Sequence, residues 1–180
     1  FSDYPVDPGT GAPVGDGRLY YDMAQLNAEL LSWDDIYLAF NWYETMQVTG
    51  TENLAEKPSY INPVFANSTE HVDKISFVDK ITATRDAVVG AFEDTEGNKG
   101  LMVANFDFPT AVTDSSDEVS GAPDFSTLGT NTVELSVPDA NTAMIIRNGE
   151  MEITEVENGK ITVELNASEG AFIIPLRIKE

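Results

Sequence analysis

The sequence contains no cysteine, one histidine, and 10 lysines and arginines in 180 residues. Each shortage excludes something. Without cysteine there is neither a disulfide framework nor a thiolate metal centre. With His71 as the lone imidazole, any Ser-His-Asp arrangement has to use it, yet no nucleophile elbow accompanies it. A zinc site would need carboxylates for most of its ligands, which is unusual for that metal. The 31 acids leave a formal charge of −21, and so negative a surface repels phosphate backbones and anionic lipid. Nucleic-acid and membrane-surface roles are therefore not expected. No apolar run reaches the roughly 18 residues a membrane-spanning helix needs. Gly9-Thr10-Gly11 follows no strand and precedes no lysine, so no phosphate-cradling loop is read there.

The N-terminal stretch of residues 1–18 is rich in proline, glycine and aspartate and lacks a basic-then-apolar leader pattern. It does not begin with methionine, so the chain is read as a processed or excised piece of something longer.

What is present is enough apolar material, 42% of residues, to fill a core. Leu19, Met23, Leu26 and Leu30 recur at three- and four-residue steps, which predicts a helix over about 19–33. Asp22 suits its first turn, and Ser32, Asp34 and Asp35 break the pattern. The stripe has to bury itself against the rest of the chain or against a second copy. Ile36 to Tyr43 is apolar on both faces, and periodicity leaves a short helix or a buried strand open.

Beyond a loop centred on Pro58 and Pro63 the chain turns to β structure. Ala87–Phe92 and Gly100–Phe106 read as strands joined by the turn Asp94–Asn98. Thr110–Gly129 is a long polar stretch and Thr132–Val137 another strand. From Thr142 to Leu176, alternation predicts an antiparallel meander with Met151 and Ile153 on one packed face and Ile161, Val163 and Leu165 on another. Asn148-Gly149 and Asn158-Gly159 mark its reversals. Phe172–Leu176 reads as covered on both sides, with Pro175 marking an edge or a strand end. Six to eight strands after residue 72 with no helix among them predict a mainly β protein, an antiparallel β-sandwich with a short N-terminal helical segment. The divisions are a loop and helical segment at 1–50, a linker at 51–71 and the sandwich at 72–180.

Several residue groups have chemistry to consider. Asp114, Asp117 and Glu118, with Asp124 beyond, gather oxygens that calcium would accept, although the spacing is not that of an EF-hand; a solvated loop is the simpler reading. Asp94, Glu96 and Asn98 share that resemblance to a calcium loop but are wanted by a hairpin turn. With so many acids a pair at glycosidase separation arises by chance, and Asp34-Asp35 and Glu93-Asp94 read as helix-end and turn residues. Trp33, Trp42 and Tyr43, with Tyr37 and Phe40, would make a stacking platform for sugar rings or, more simply, packing. Asn67-Ser68-Thr69 and Asn166-Ala167-Ser168 match the short glycosylation pattern.

Three pieces carry a family resemblance. Gly17–Tyr21 leading into Gln25–Leu30 resembles the last helix of the (β/α)8 barrel in bacterial β-galactosidase-like glycoside hydrolases. Ala87–Gly97 followed by Gly100–Asn105 resembles the hairpin that opens their C-terminal β-sandwich. Arg147-Asn148-Gly149, Asn158–Val163 and Glu169–Phe172 resemble that sandwich's closing strands. The resemblance spans most of the chain and rests on turn and strand patterns. It implies a bacterial protein, extracellular or cytoplasmic, whose catalytic glutamates lie in barrel strands before the final helix. A full barrel takes about 250 residues, and the acid/base Asn-Glu pair of such barrels does not occur here. Asn41-Trp42-Tyr43-Glu44 is not a match, so no catalytic residue is carried over.

The function this implies is a non-catalytic C-terminal sandwich, partnered by an upstream catalytic barrel and needing no cofactor, with calcium the one ion to consider. The alternatives are a carbohydrate-binding module using Trp33, Trp42 and Tyr43, and a structural or adhesive cell-surface domain.

Overall fold

A computed structural model describes residues 34–52, 70–107 and 128–177, together with Gly9, Thr10 and the positions Ala24, Asn27, Ala28 and Leu31. Those last four positions are helical and exposed, and a helical turn at 34–37 follows. The stripe Leu19, Met23, Leu26, Leu30 lies outside the described residues, as do Trp33, the loop at 53–69, and Asp114, Asp117, Glu118 and Asp124. The protein is mainly β, an antiparallel sandwich with a short helical segment before it.

Nine strands are described: β1 (Phe40–Val48), β2 (Lys80–Ala83), β3 (Ala87–Asp94), β4 (Lys99–Asn105), β5 (Asn131–Ser136), β6 (Thr142–Arg147), β7 (Glu150–Glu155), β8 (Lys160–Leu165) and β9 (Gly170–Leu176). They form a six-stranded sheet in the order β1-β3-β4-β9-β6-β7 and a three-stranded sheet in the order β2-β5-β8. Every strand pairing is antiparallel.

Alternation decides which side chains meet between the sheets. Ile161, Val163 and Leu165 of β8 are buried while Lys160, Thr162 and Glu164 face solvent, as the sequence predicts. They join Ile81, Val133 and Leu135 against Val89, Ala91, Leu101, Val103, Ala143, Ile145 and Ile173 of the larger sheet. Burial of such side chains is worth about 1.5–3 kcal/mol each, enough to clamp the layers together.

The expected meander is corrected in one respect. β6 and β7 do form a hairpin over Asn148 (φ 51°) and Gly149 (φ 75°). Asn158 (φ 54°) and Gly159 (φ 69°) also make the tight reversal read from the sequence. Their turn, however, carries the chain from the large sheet to the small one, and β9 then returns to lie between β4 and β9's other neighbour, β6. The physical reason lies in a close approach. The Val137 amide donates to the Gly159 carbonyl at 2.7 Å, and a Cβ on Gly159 would come within 2.5 Å of the Val137 carbonyl oxygen. The turn is thus docked on the end of β5, which steers β8 into the small sheet. Alternation and turn chemistry are the same for a hairpin and for such a crossing.

Two further expectations change. Met151 and Ile153 are not packed: they are 56% and 64% exposed, because β7 is the outermost strand and no described residue lies over its end of the sheet. The ambiguous run Ile36–Tyr43 is both of its readings in turn, helical at Ile36 and Tyr37 and strand from Phe40. Asp34 and Asp35, read as helix-end residues, lie in the helical turn at 34–37, where the Asp34 carbonyl accepts from the Leu38 amide at 2.8 Å. β1 pairs with β3 along its length, so the large sheet begins at Phe40, within the segment read as the helical lead-in.

Candidate functional site

The large sheet is apolar on both faces. Its inner face meets the small sheet. On the outer face Phe92, Phe172, Ile146 and Ile174 are buried, with Phe40, Met102, Met144 and Leu176 partly buried beside them. Residues directly opposite on paired antiparallel strands share a face. Trp42 opposes Phe92, Met151 opposes Ile146 and Ile153 opposes Met144, so all three belong to this outer face. Phe172 sits at its centre, with Phe40 and Phe92 edge-on to it at 5.3 and 5.5 Å. From the helical turn, Tyr37 comes to 5.7 Å of Phe92 and 5.8 Å of Phe172, and Ile36 packs beside them. The middle of the face is thereby covered. Its two margins, Trp42 on one side and Met151 with Ile153 on the other, remain open, Trp42 being 48% exposed.

Of the three aromatic residues singled out for sugar stacking, Trp42 and Tyr43 are not brought to one surface. The pairing of β1 slips between Trp42 and Glu44, leaving Tyr43 as the extra residue of a bulge. Trp42 stays on the outer face and donates from Nε1 to Thr45 Oγ1 at 2.8 Å. Tyr43 packs against the inner core instead, with Lys99 Nζ 5.1 Å from its ring centroid. Lys99 is also paired with Glu93 at 2.8 Å, and that carboxylate, more than any other group, raises the pKa of the ammonium. Phe77 lies under the same ammonium at 6.0 Å.

Other candidates are absorbed by the fold. Asp94 Oδ1 accepts from the Glu96 and Asn98 amides at 2.8 Å each, and Oδ2 accepts from Asn98 Nδ2 at 2.6 Å. The Asn98 side chain, chiefly, holds the Asp94 carboxyl below its ordinary range. The Asp94–Asn98 stretch is therefore a side-chain-capped hairpin turn. His71 bridges Thr45 on the open edge of β1, and it lies half-buried beside that strand. Among the described residues no three acids or imidazoles converge in a metal-binding group. No helix among them is long and apolar enough to cross a membrane.

Sequence reasoning missed a polar cluster at one end of the sandwich. Asn131, fully buried, accepts through Oδ1 from Thr84 Oγ1 and the Arg85 amide and donates through Nδ2 to the Arg85 and Asp86 carbonyls. Asn105 donates to the carbonyls of Gly129, Leu165 and Asn166. Arg85 pairs with Asp107 at 2.6 Å, and its guanidinium lies so close over Gly129 that a Cβ there would sit 2.5 Å from it. The cluster ties four chain segments together, 84–86, 105–107, 129–131 and 165–166. The one signal in the sequence was asparagine where an apolar residue would continue the alternation of β4 and β5.

The geometry defines an antiparallel two-sheet sandwich whose larger sheet carries a second, partly open apolar face. Compared with known proteins, the chain matches no protein-family model, no curated protein and no solved structure.

Proposed function

We propose that this chain is a non-catalytic, accessory β-sandwich region of a glycoside-hydrolase-like protein, working by packing against an upstream catalytic barrel. One observation carries the docking part of this reading: the outer face of the large sheet ends in Trp42 on one margin and in Met151 and Ile153 on the other, all substantially exposed. A sheet face rich in phenylalanine, methionine and tryptophan is the surface a neighbouring domain would cover. The glycoside-hydrolase part comes from the resemblance of the turn and strand segments alone. The acids fit a non-catalytic role, since Glu93 is taken by Lys99, Asp94 by its own turn and Asp107 by Arg85.

The test is oxidative footprinting. Met151 and Trp42 should be labelled in the isolated chain and protected in the parent polypeptide. Equal labelling in both sinks the docking role. Turnover of a chromogenic β-galactoside by the isolated chain sinks the non-catalytic role separately.

A further inference from the structure

On the side of the sandwich where β7 closes the large sheet and β8 closes the small one, the edges of the two sheets stand apart. The space between them is an open groove of about 490 Å³, within the size range of small-molecule sites. Its floor is apolar, from Ile145 and Val163, and its walls are polar: Arg147, Glu152 and Thr154 from β6 and β7, and the main-chain edge of β8 at Thr162 with Asn166 from the turn after it. Arg147 reaches across one end, donating from Nη1 to the Glu164 main-chain carbonyl at 2.9 Å. Glu152 opposes Ile145 in register, which turns its carboxylate toward the groove rather than the outer face.

The chemistry of the lining narrows what it takes. One guanidinium against the carboxylate of Glu152 gives no strong preference for either sign, and a chain of net charge −21 repels a polyanion. Among the described residues no three acids or imidazoles converge on the groove. No aromatic ring lines it, which removes stacking of a planar ligand. What remains is a dense set of alternating donors and acceptors over a small apolar floor. Hydroxyl groups of a neutral ligand match both at once, each donating to a carboxylate or threonine oxygen while accepting from arginine, threonine or asparagine.

We propose that this groove is a binding site for a neutral polyhydroxylated ligand, a short saccharide in chemical class. It lies away from the outer face and does not rest on the docking role proposed above. Glu152 accepts from ligand hydroxyls, Arg147 donates while closing the end, and Thr154 contributes its hydroxyl across from the main-chain edge of β8 at Thr162.

The experiment is an amide-resolved NMR titration of the chain with cellobiose and with lactose. The expected result is saturable shifts at Arg147, Glu152, Thr154 and Thr162 at about 1–10 mM, unchanged by added sodium chloride. Glu152→Gln and Thr154→Val should each weaken binding about five- to tenfold, the loss of one hydrogen bond, with otherwise intact spectra. Trp42→Ala should leave it unchanged. Absence of shifts with both sugars overturns the proposal, and so do shifts centred on Trp42. Shifts caused by an extended peptide and by neither sugar also overturn it, assigning the groove instead to strand addition on β8.

Discussion

Phe172 lies edge-on over Gly100, so close that a Cβ on that glycine would stand 2.6 Å from Phe172 Cζ and 3.2 Å from Phe40 Cδ1. The outer-face cluster is therefore built on a missing side chain. Phe92, opposite Gly100 on β3, and Met102 along β4 take the space on either side. Replacing Gly100 with alanine forces the Phe172 ring out of a fully buried position. The expected cost is about 1–3 kcal/mol, the usual range for overpacking. It would be read as a lowered urea midpoint without a changed slope. A variant as stable as the parent would show that the ring has somewhere else to go.

Asn131→Ala removes a side chain that makes four hydrogen bonds while wholly shielded from water. It leaves main-chain groups of Arg85 and Asp86 with fewer partners, and each unsatisfied buried group costs about 1–3 kcal/mol. A loss of about 3 kcal/mol or more is expected in thermal or chemical unfolding, with amide exchange speeding first at 84–86 and 105–107. A loss below about 1 kcal/mol would mean that water replaces the amide, contrary to its burial.

Asp94 makes the turn between β3 and β4 sensitive to acid. Its folded carboxyl titrates below its ordinary value because Asn98 and the turn amides favour the charged form. The stabilisation is thus complete above the unfolded carboxyl value and disappears as pH falls through the lower, folded one. Asp94→Ala should be less stable than the parent at neutral pH, and the gap should close on acidification below about pH 4. A gap constant down to pH 2 or so would contradict the charge-based account.

Lys99 has the opposite sign. Glu93 raises its folded pKa above the ordinary value, so its contribution is complete below the unfolded value and is lost as pH rises through the folded one. The melting temperature of Lys99→Met should trail the parent by a steady margin from about pH 7 to 9 and converge with it above about pH 10.5. Because the ammonium also covers Tyr43 and Phe77, a small residual difference from packing is expected to persist at high pH. Convergence already at pH 8 would sink the assignment to Lys99.

How much of this was written in the sequence depends on distance along the chain. Asn148-Gly149 and Asn158-Gly159 take positive φ wherever they occur in such turns, so both reversals were legible from four residues. The alternation of Ile161, Val163 and Leu165 likewise fixed which side of β8 is buried. Local backbone sterics and a period of two need no partner to be stated. What the partner is, and whether one exists, was decided elsewhere. Met151 and Ile153 have the same pattern as β8 yet lie open to solvent, because periodicity assigns residues to a face without saying what covers it. The Trp42–Tyr43 neighbours point opposite ways through a bulge that only the pairing with β3 creates. Arg147, Glu152 and Thr162 meet around one groove because the chain changes sheets at Gly159, pressed on Val137, which follows β5 more than twenty residues earlier. Sequence determined the elements, their turns and their buried sides; long-range packing alone determined the strand order, and with it every place where residues from distant strands come together.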